Sequence, residues 1–343
     1  MKKSFKDWMH HKLMPTLDWI QVEVCSDCRN SCIYCPHTIY ADGWKSRNMS
    51  PGTFERLLPV LEKVKLVHLQ GWGEPFLNPH IFTMLKMAKD RGCRVGTTTG
   101  GMLFDDAKIE KLIKYGIDLL AFSLAGTGKV NDRIRCGTDL HFVLKVIADI
   151  NLKKKKLKSS FPKIHIAYML LRSGLVDLAK LPELLKDLGI EQVVITTLDF
   201  VADDSMQDEA VIPKDTAEFE EINSLLKSTK AKASEYGIEL FYYITHPHIR
   251  NTFCTENIRR ALFVSVDGEV SPCVFLNIPA THAYYRINDQ NHAYQAMTFG
   301  NINRQNLATI WRRNEYVDFR GSFELGRHPD FCKNCRKLRI WEG

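Results

Sequence analysis

The stretch CSDCRNSCIYC, residues 25–35, places four cysteines directly behind a β-rich run that ends at Val24. Within it, the x3 and x2 spacing of Cys28, Cys32 and Cys35 puts three thiols on one tight loop. Three ligands leave one iron of a four-iron cluster open, and a reactive cluster needs such an open position. With ten cysteines in 343 residues, chance produces this spacing in roughly one chain in a hundred. The loop therefore predicts a metal site.

The composition is that of a globular chain, with 25% charged residues and a net charge of +7. At 343 residues, we expect one large domain and a smaller appendage. Residues 1–8 lack a signal-peptide pattern, and no apolar run approaches a membrane span. These features predict a cytoplasmic protein without a membrane partner, whose cysteines are metal ligands rather than disulfides. The dense basic run at 153–156 predicts a solvated helix end rather than a nucleic-acid contact.

Short β-rich runs alternate with amphipathic helical segments from Asp18 onward. We predict strands at 19–24, 66–70, 94–98, 119–124, 164–171 and 192–198. Helical segments begin near Pro51, Pro79, Asp105, Asp139 and Val176. Six βα units in succession imply an α/β fold with a parallel sheet, either open or curled into a partial (βα)6 TIM-like barrel. In both cases the ligand site lies at the carboxyl ends of the strands.

The pattern changes near Gly237. Residues 262–273 predict a hairpin with a turn at Asp267-Gly268 instead of another βα unit. We therefore divide the chain into a barrel domain at 1–237, with an N-terminal extension at 1–17, and a small hairpin-containing domain at 238–343. Four cysteines of this second domain form a closed set: Cys254, Cys273, Cys332 and Cys335. Their chemistry allows tetrahedral zinc or a fully ligated four-iron cluster.

The loop at 28–35 resembles the defining loop of the radical S-adenosylmethionine (radical SAM) superfamily. The cysteine spacing, the aromatic Tyr34 and the position after the first strand all match. The resemblance implies a partial barrel in which Cys28, Cys32 and Cys35 hold a [4Fe-4S] cluster, whose open iron chelates S-adenosylmethionine. Cleavage of that cofactor gives a 5′-deoxyadenosyl radical, which abstracts a hydrogen atom from substrate. Cys25 stands where the family often has a small residue, so we expect it to be structural.

Further positions resemble the cofactor contacts of the family. Residues 71–75, GWGEP, resemble its Gly-Gly-Glu-Pro motif, with Trp72 in place of the first glycine. The third strand ends without the amide side chain that relatives show, so we assign no contact to 97–101. A guanidinium pairs well with the methionine carboxylate. The cofactor-binding residues that the resemblance implies are Tyr34, Gly73, Glu74, Ser123, Arg135 and Leu198. A turn at Gly73-Glu74, a surface ion pair at Arg135 and plain core at Leu198 are the alternatives.

The cysteines of the second domain resemble the SPASM extension of radical SAM enzymes. A complete SPASM module continues with three more cysteines after its Cys-x2-Cys, and this sequence has none there. The resemblance therefore implies the shortened, twitch-type form. One auxiliary [4Fe-4S] cluster is then held by Cys254, Cys273, Cys332 and Cys335.

A fully ligated auxiliary cluster has no open iron for substrate, so we expect it to transfer electrons or to support the structure. A substrate radical that loses a proton can give its remaining electron to such a cluster. We therefore predict a dehydrogenase-like oxidoreductase that oxidises a small molecule, with flavodoxin or ferredoxin as electron donor. The alternatives are a peptide- or protein-modifying maturase and a non-catalytic zinc-binding protein. The sequence identifies no catalytic acid or base; the polar residues expected to face the substrate are Gln21, Glu23, Gln70, Tyr168, Thr196 and Asp199.

Overall fold

The computed structural model describes residues 14–249, 254–287, 290–338 and 340–342, so most of the predicted N-terminal extension lies outside the described residues. The strands in these ranges are β1 (Leu17–Val22), β2 (Ser31–Cys32), β3 (Val64–Leu69), β4 (Arg94–Thr99), β5 (Leu119–Leu124), β6 (Arg135–Cys136), β7 (Lys163–Leu170), β8 (Gln192–Thr197), β9 (Glu239–Thr245), β10 (Ala261–Val264), β11 (Val270–Ser271), β12 (Tyr284–Ile287), β13 (Gln290–Ala293) and β14 (Ile340–Glu342). The α-helices are α1 (Pro36–Ile39), α2 (Pro51–Glu55), α3 (Leu58–Leu61), α4 (Ile81–Lys89), α5 (Asp106–Tyr115), α6 (Lys129–Ile134), α7 (Leu140–Lys156), α8 (Leu181–Leu185), α9 (Thr216–Glu235), α10 (Leu307–Trp311), α11 (Asn314–Glu324) and α12 (Asp330–Lys333).

The main sheet of the described residues has the strand order β11-β10-β1-β3-β4-β5-β7-β8-β9-β14. Strands β1, β3, β4, β5, β7 and β8 run parallel in chain order. They match the six predicted strands to within two residues at each end. Parallel neighbours need crossover connections, and α4, α5 and α7 lie in the connections from β3 to β4, from β4 to β5 and from β5 to β7. The predicted α/β fold with a partial TIM-like barrel is confirmed.

The helices cover the face of the sheet on which alternate strand residues are fully buried. Ile166 and Leu170 of β7 belong to the same apolar core as Leu112 of α5 and Ile147 of α7. This period of two separates the helix-covered face from the inner face of the barrel. Tyr168 lies in phase with Ile166 and is 1% exposed. The prediction that Tyr168 faces the substrate is therefore wrong, because its strand position points it into the core.

Helix α7 shows how the sequence produces this cover. Asp139 caps the helix by accepting a hydrogen bond of 3.1 Å from a backbone amide of the first turn. Apolar residues at helical spacing form its buried face: Leu140, Val143, Val146, Ile147 and Ile150. The basic run at 153–156 ends the helix, as predicted. Lys153 is paired rather than solvated, because Asp106 and Glu110 of α5 lie 3.1 and 3.0 Å away.

The residues after Gly237 add strands to both sides of the barrel sheet. Strand β9 runs parallel beside β8, and β10 runs parallel beside β1. Strands β10 and β11 form the predicted hairpin, whose turn contains Gly268 at φ +83°. The division at residue 237 stays a prediction, but the elements on its two sides share one sheet. Among the helices of the described ranges, none combines the length and apolar character that crossing a membrane requires.

Candidate active site

The cysteine loop follows β1, and segments distant in sequence hold its backbone. Strand β2 pairs antiparallel with β6 and puts Cys32 opposite Arg135. The amide of Glu74 donates to the carbonyl oxygen of Asp27 at 2.8 Å. A β-carbon on Gly73 would lie 2.4 Å from that same carbonyl oxygen. Only glycine therefore fits at position 73, because the two loops approach each other this closely.

The thiols of Cys28, Cys32 and Cys35 lie close enough to influence one another. Burial raises the pKa of the Cys28 thiol to about 11, with Glu74 and Cys32 adding to the effect. Burial and the neighbouring Cys32 and Cys28 raise the pKa of the Cys35 thiol to about 12. Crowded, buried thiols keep their protons unless a cation compensates the charge. Metal binding supplies that charge, so this donor set fits a metal cluster.

Cys25 has a different environment from the other three cysteines of the loop. Its side chain is 1% exposed, and its Sγ lies 3.5 Å from the carbonyl oxygen of Asp27. Burial raises the pKa of the Cys25 thiol to about 12, and the charges of Asp27, Glu23 and Glu74 add to the effect. The structural role expected for Cys25 stays a prediction.

Arg135 brings a buried cation to the cysteine loop. It is 6% exposed, and its Nη1 donates to the Tyr34 hydroxyl at 2.5 Å. Its Nε is buried without a hydrogen-bond partner among the described residues. A buried guanidinium with an unpaired N–H suits an anionic ligand such as a carboxylate. Tyr34 and Arg135 thus meet although they are 101 residues apart, and their contact with the cofactor stays a prediction.

Glu74 is held by the end of strand β4. Its carboxylate accepts hydrogen bonds from the Thr99 hydroxyl at 2.9 Å, the Gly100 amide at 2.8 Å and the Phe76 amide at 3.1 Å. Burial raises the pKa of Glu74, and these hydrogen bonds and Arg135 oppose the rise. The sequence predicts no cofactor contact at residues 97–101, and it gave no prediction of this supporting role. The Thr-Gly pair at a strand end was the available signal.

Ser123 and Leu198 lie at the ends of two other barrel strands. Ser123 is half-buried in β5 and pairs with Ala167 of β7. Leu198 follows β8, is 5% exposed and packs in an apolar cluster that includes Tyr34 and Ile134. This cluster places Leu198 beside the cysteine loop, as its predicted role requires. Its carbonyl oxygen also accepts a hydrogen bond of 2.7 Å from Arg336 of the second domain.

The four cysteines of the second domain line one cavity. Burial raises the pKa of all four thiols; the other three add to the effect at Cys273, and Cys335 and Cys332 add to it at Cys254. Within the described residues, no three Cys, His, Asp or Glu side chains are arranged around one metal ion. Zinc thiolates lie about 2.3 Å from a single centre. Four thiols that line one cavity form a donor set for either a four-iron cluster or a zinc ion.

A buried charged group connects this cavity to the barrel. Lys337 lies 2.9 Å from the Asp199 carboxylate and 3.2 Å from the Glu256 carboxylate. Lys337 and Glu256 line the cavity, whereas Asp199 directly follows Leu198 at the end of β8. The second domain thus lies against the carboxyl ends of the barrel strands, where the first cysteine group also lies.

The comparison with protein families identifies the class of protein. The radical SAM superfamily model matches residues 22–211, and a model for an iron-sulfur cluster-binding domain, SPASM, matches residues 254–336. The chain therefore belongs to the radical SAM superfamily and carries a SPASM domain. Membership implies S-adenosylmethionine and a [4Fe-4S] cluster for the first domain, and auxiliary iron-sulfur binding for the second, as predicted. Which residue holds which cofactor stays a prediction.

The chain is similar to proteins whose names indicate different targets. The chain is 24% identical, over 93% of its length and 87% of the relative's, to the tungsten-containing aldehyde ferredoxin oxidoreductase cofactor-modifying protein of Pyrococcus furiosus. It is 22% identical, over 94% of its length and 83% of the relative's, to the PqqA peptide cyclase of Gluconobacter oxydans. The crystal structure of Streptococcus suis SuiB bound to S-adenosylmethionine superposes with a TM-score of 0.67 at 14% identity, covering 97% of this chain and 74% of that one. This last likeness concerns the fold.

Proposed function

We propose that this radical SAM enzyme dehydrogenates a small molecule and passes the remaining electron to its auxiliary cluster. The observation that carries the proposal is the closed set of four cysteine thiols around one cavity at the mouth of the barrel. A metal cluster with four protein ligands has no open position for substrate. Electron transfer is the role that such a site can still perform.

In this proposal Cys28, Cys32 and Cys35 hold the first cluster, and Cys254, Cys273, Cys332 and Cys335 hold the second. The residues that contact S-adenosylmethionine are Tyr34, Gly73, Glu74, Ser123, Arg135 and Leu198. When bound, the clusters and S-adenosylmethionine supply the hydrogen-abstracting radical and the acceptor for one electron. The substrate then loses two hydrogens overall.

The chain's own residues position these groups and exclude water. Arg135 offers its free Nε–H to a carboxylate, and Tyr34 fixes the guanidinium. Thr99 and Gly100 hold the Glu74 carboxylate in one orientation. The apolar cluster around Leu198 keeps solvent from the cysteine loop, since a reactive radical must be protected from water.

The relatives favour two kinds of substrate. The Pyrococcus furiosus relative is named for modifying a cofactor, which supports a small molecule. The Gluconobacter oxydans relative is named as a peptide cyclase, and SuiB has been crystallised with its precursor peptide. Peptide modification is therefore the second candidate. In either case we propose a cytoplasmic enzyme that receives its electron from flavodoxin or ferredoxin.

Anaerobic reaction followed by mass spectrometry separates the two candidates. The purified enzyme is supplied with S-adenosylmethionine, a reductant and either small molecules or peptides encoded by neighbouring genes. A small molecule that becomes about two mass units lighter, with stoichiometric 5′-deoxyadenosine, supports the first candidate. A mass change confined to a peptide would overturn it. Iron analysis should give about eight irons per chain, because two four-iron clusters are expected.

A further inference from the structure

Trp72 is the residue at which this chain departs from the Gly-Gly-Glu-Pro motif. A glycine at this position has no side chain to contact the rest of the molecule. Trp72 instead reaches the second domain, where its indole Nε1–H donates to the Asn277 carbonyl oxygen at 3.0 Å. Its ring packs edge-on against Phe275, with centroids 5.9 Å apart. The departure therefore adds two contacts between the domains.

These contacts end beside the auxiliary site. Phe275 lines the same cavity as Cys273, which precedes it by two residues in the chain. Asn277 is 8% exposed, and its side-chain amide donates to the Ser271 hydroxyl at 3.0 Å. The segment that receives the Trp72 side chain is thus half-buried at 273–275 and buried at 276–278, and the hydrogen bond from Asn277 to Ser271 anchors it on both sides of Cys273. A displacement of Trp72 would be passed to that segment.

The backbone of Trp72 is anchored to the first domain. Its amide donates to the Glu23 carboxylate at 2.9 Å, and a β-carbon on Gly71 would lie 2.2 Å from the Glu23 side chain. On the opposite side, Gly73 and Glu74 contact the backbone of the cysteine loop through Asp27. Trp72 therefore stands in a continuous series of contacts from the cysteine loop to the auxiliary cavity.

We propose that Trp72 is a positioning residue that couples the S-adenosylmethionine site to the auxiliary-cluster site. It holds the loop of Gly73 and Glu74 at a fixed distance from residues 273–277. The inference rests on the proposed function, because it takes residues 71–75 as part of the S-adenosylmethionine site. Such a fixed distance matters since a displacement of about 1 Å can cost about a hundredfold in rate.

Hydrogen–deuterium exchange of the anaerobic holoenzyme, with S-adenosylmethionine as the added ligand, tests this coupling. In the wild type the ligand should slow exchange at residues 71–77. Through Trp72 it should also slow exchange at residues 274–279 by about fivefold, which is the effect of one hydrogen bond. Trp72→Phe keeps a ring against Phe275 but lacks the indole N–H. This variant should keep the protection at 71–77 and lose most of the protection at 274–279. Trp72→Gly restores the usual motif residue and should lose the protection at 274–279 completely.

Trp19→Phe is the matched control. It makes the same substitution within β1, outside the apolar cluster that contains Trp72 and Phe275. The control should keep both protections, and iron counts show whether each variant folds with its clusters. Ligand protection at 274–279 that persists in both Trp72 variants would overturn the coupling alone. A wild type without protection at 71–77 would overturn the proposed function and the coupling together.

Discussion

Glu23 gives the protein a pH-dependent stability that one substitution should remove. The side chain is fully buried where the barrel meets the second domain, and its two oxygens accept hydrogen bonds from the amides of Trp72 and Val266. Burial raises the pKa of this carboxyl from 4.5 to about 7, although both hydrogen bonds act in the opposite direction. Near neutral pH the folded protein must therefore either keep a proton on Glu23 or bury a charge.

The size of the effect follows from this shift of the pKa. A carboxyl whose pKa is higher in the folded state favours folding in its protonated form. Its contribution is fully present below about pH 4.5 and is lost as the pH rises through about 7. Between pH 5.5 and pH 8 the loss is about 2 kcal/mol in the free energy of unfolding. For a chain of this length that corresponds to about 3 °C in melting temperature.

The Glu23→Gln side chain carries no titrating proton. The free energy of unfolding of this variant should therefore lack the pH-dependent contribution of Glu23. Its side-chain amide also places an N–H against a backbone donor, which lowers stability by about 1 kcal/mol at every pH. Anaerobic melting curves from pH 5.5 to pH 8 should show the wild type falling by about 3 °C more than the variant. Glu221→Gln, on the exposed face of α9, is the control and should follow the wild type. Parallel curves for wild type and Glu23→Gln would refute the reasoning.

Three further predictions concern the cluster and cofactor residues. Cys28→Ala should abolish cleavage of S-adenosylmethionine, whereas Cys25→Ala should retain it, as measured by 5′-deoxyadenosine formation. The double variant Cys332→Ala/Cys335→Ala should lower the iron content from about eight to about four per chain, because two remaining cysteines do not hold the auxiliary cluster and the first cluster stays intact. Arg135→Lys should weaken binding of S-adenosylmethionine by about tenfold, since lysine cannot pair with a carboxylate in bidentate fashion. Titration of the reduced enzyme by electron paramagnetic resonance measures that affinity, and Tyr34→Phe should weaken it less.

Each of these predictions has an outcome that contradicts it. The reverse result for Cys25→Ala and Cys28→Ala would overturn the ligand assignment of the first cluster. Cys136→Ala is the control for iron content and should keep about eight irons, since Cys136 belongs to neither proposed ligand set. A normal iron count in the double variant would remove Cys332 and Cys335 from the auxiliary set. Unchanged affinity in Arg135→Lys would make its role structural.

The sequence predicted the barrel strands well because each combines a buried alternation with a local turn or cap. It was less informative about residues whose role depends on pairing partners. Tyr168 looked like a polar strand-end residue, yet its phase in β7 turns it into the core. Thr99 and Gly100 seemed to lack a suitable side chain, but they hold Glu74 through a hydroxyl and a backbone amide. Every residue except proline has a backbone N–H, so the residue type does not reveal that Gly100 donates to Glu74.

The sequence by itself determined the family, the two cysteine groups and the succession of βα units, because cysteine spacing and hydrophobic period are local properties of the chain. Only the tertiary structure decided how the groups meet. It set Arg135 against Tyr34, joined β10 to β1 and placed Trp72 between the two sites. These contacts join residues 101 to 242 positions apart. At such separations, strand pairing and close backbone approach determine which residues touch, and neither is encoded in a local pattern.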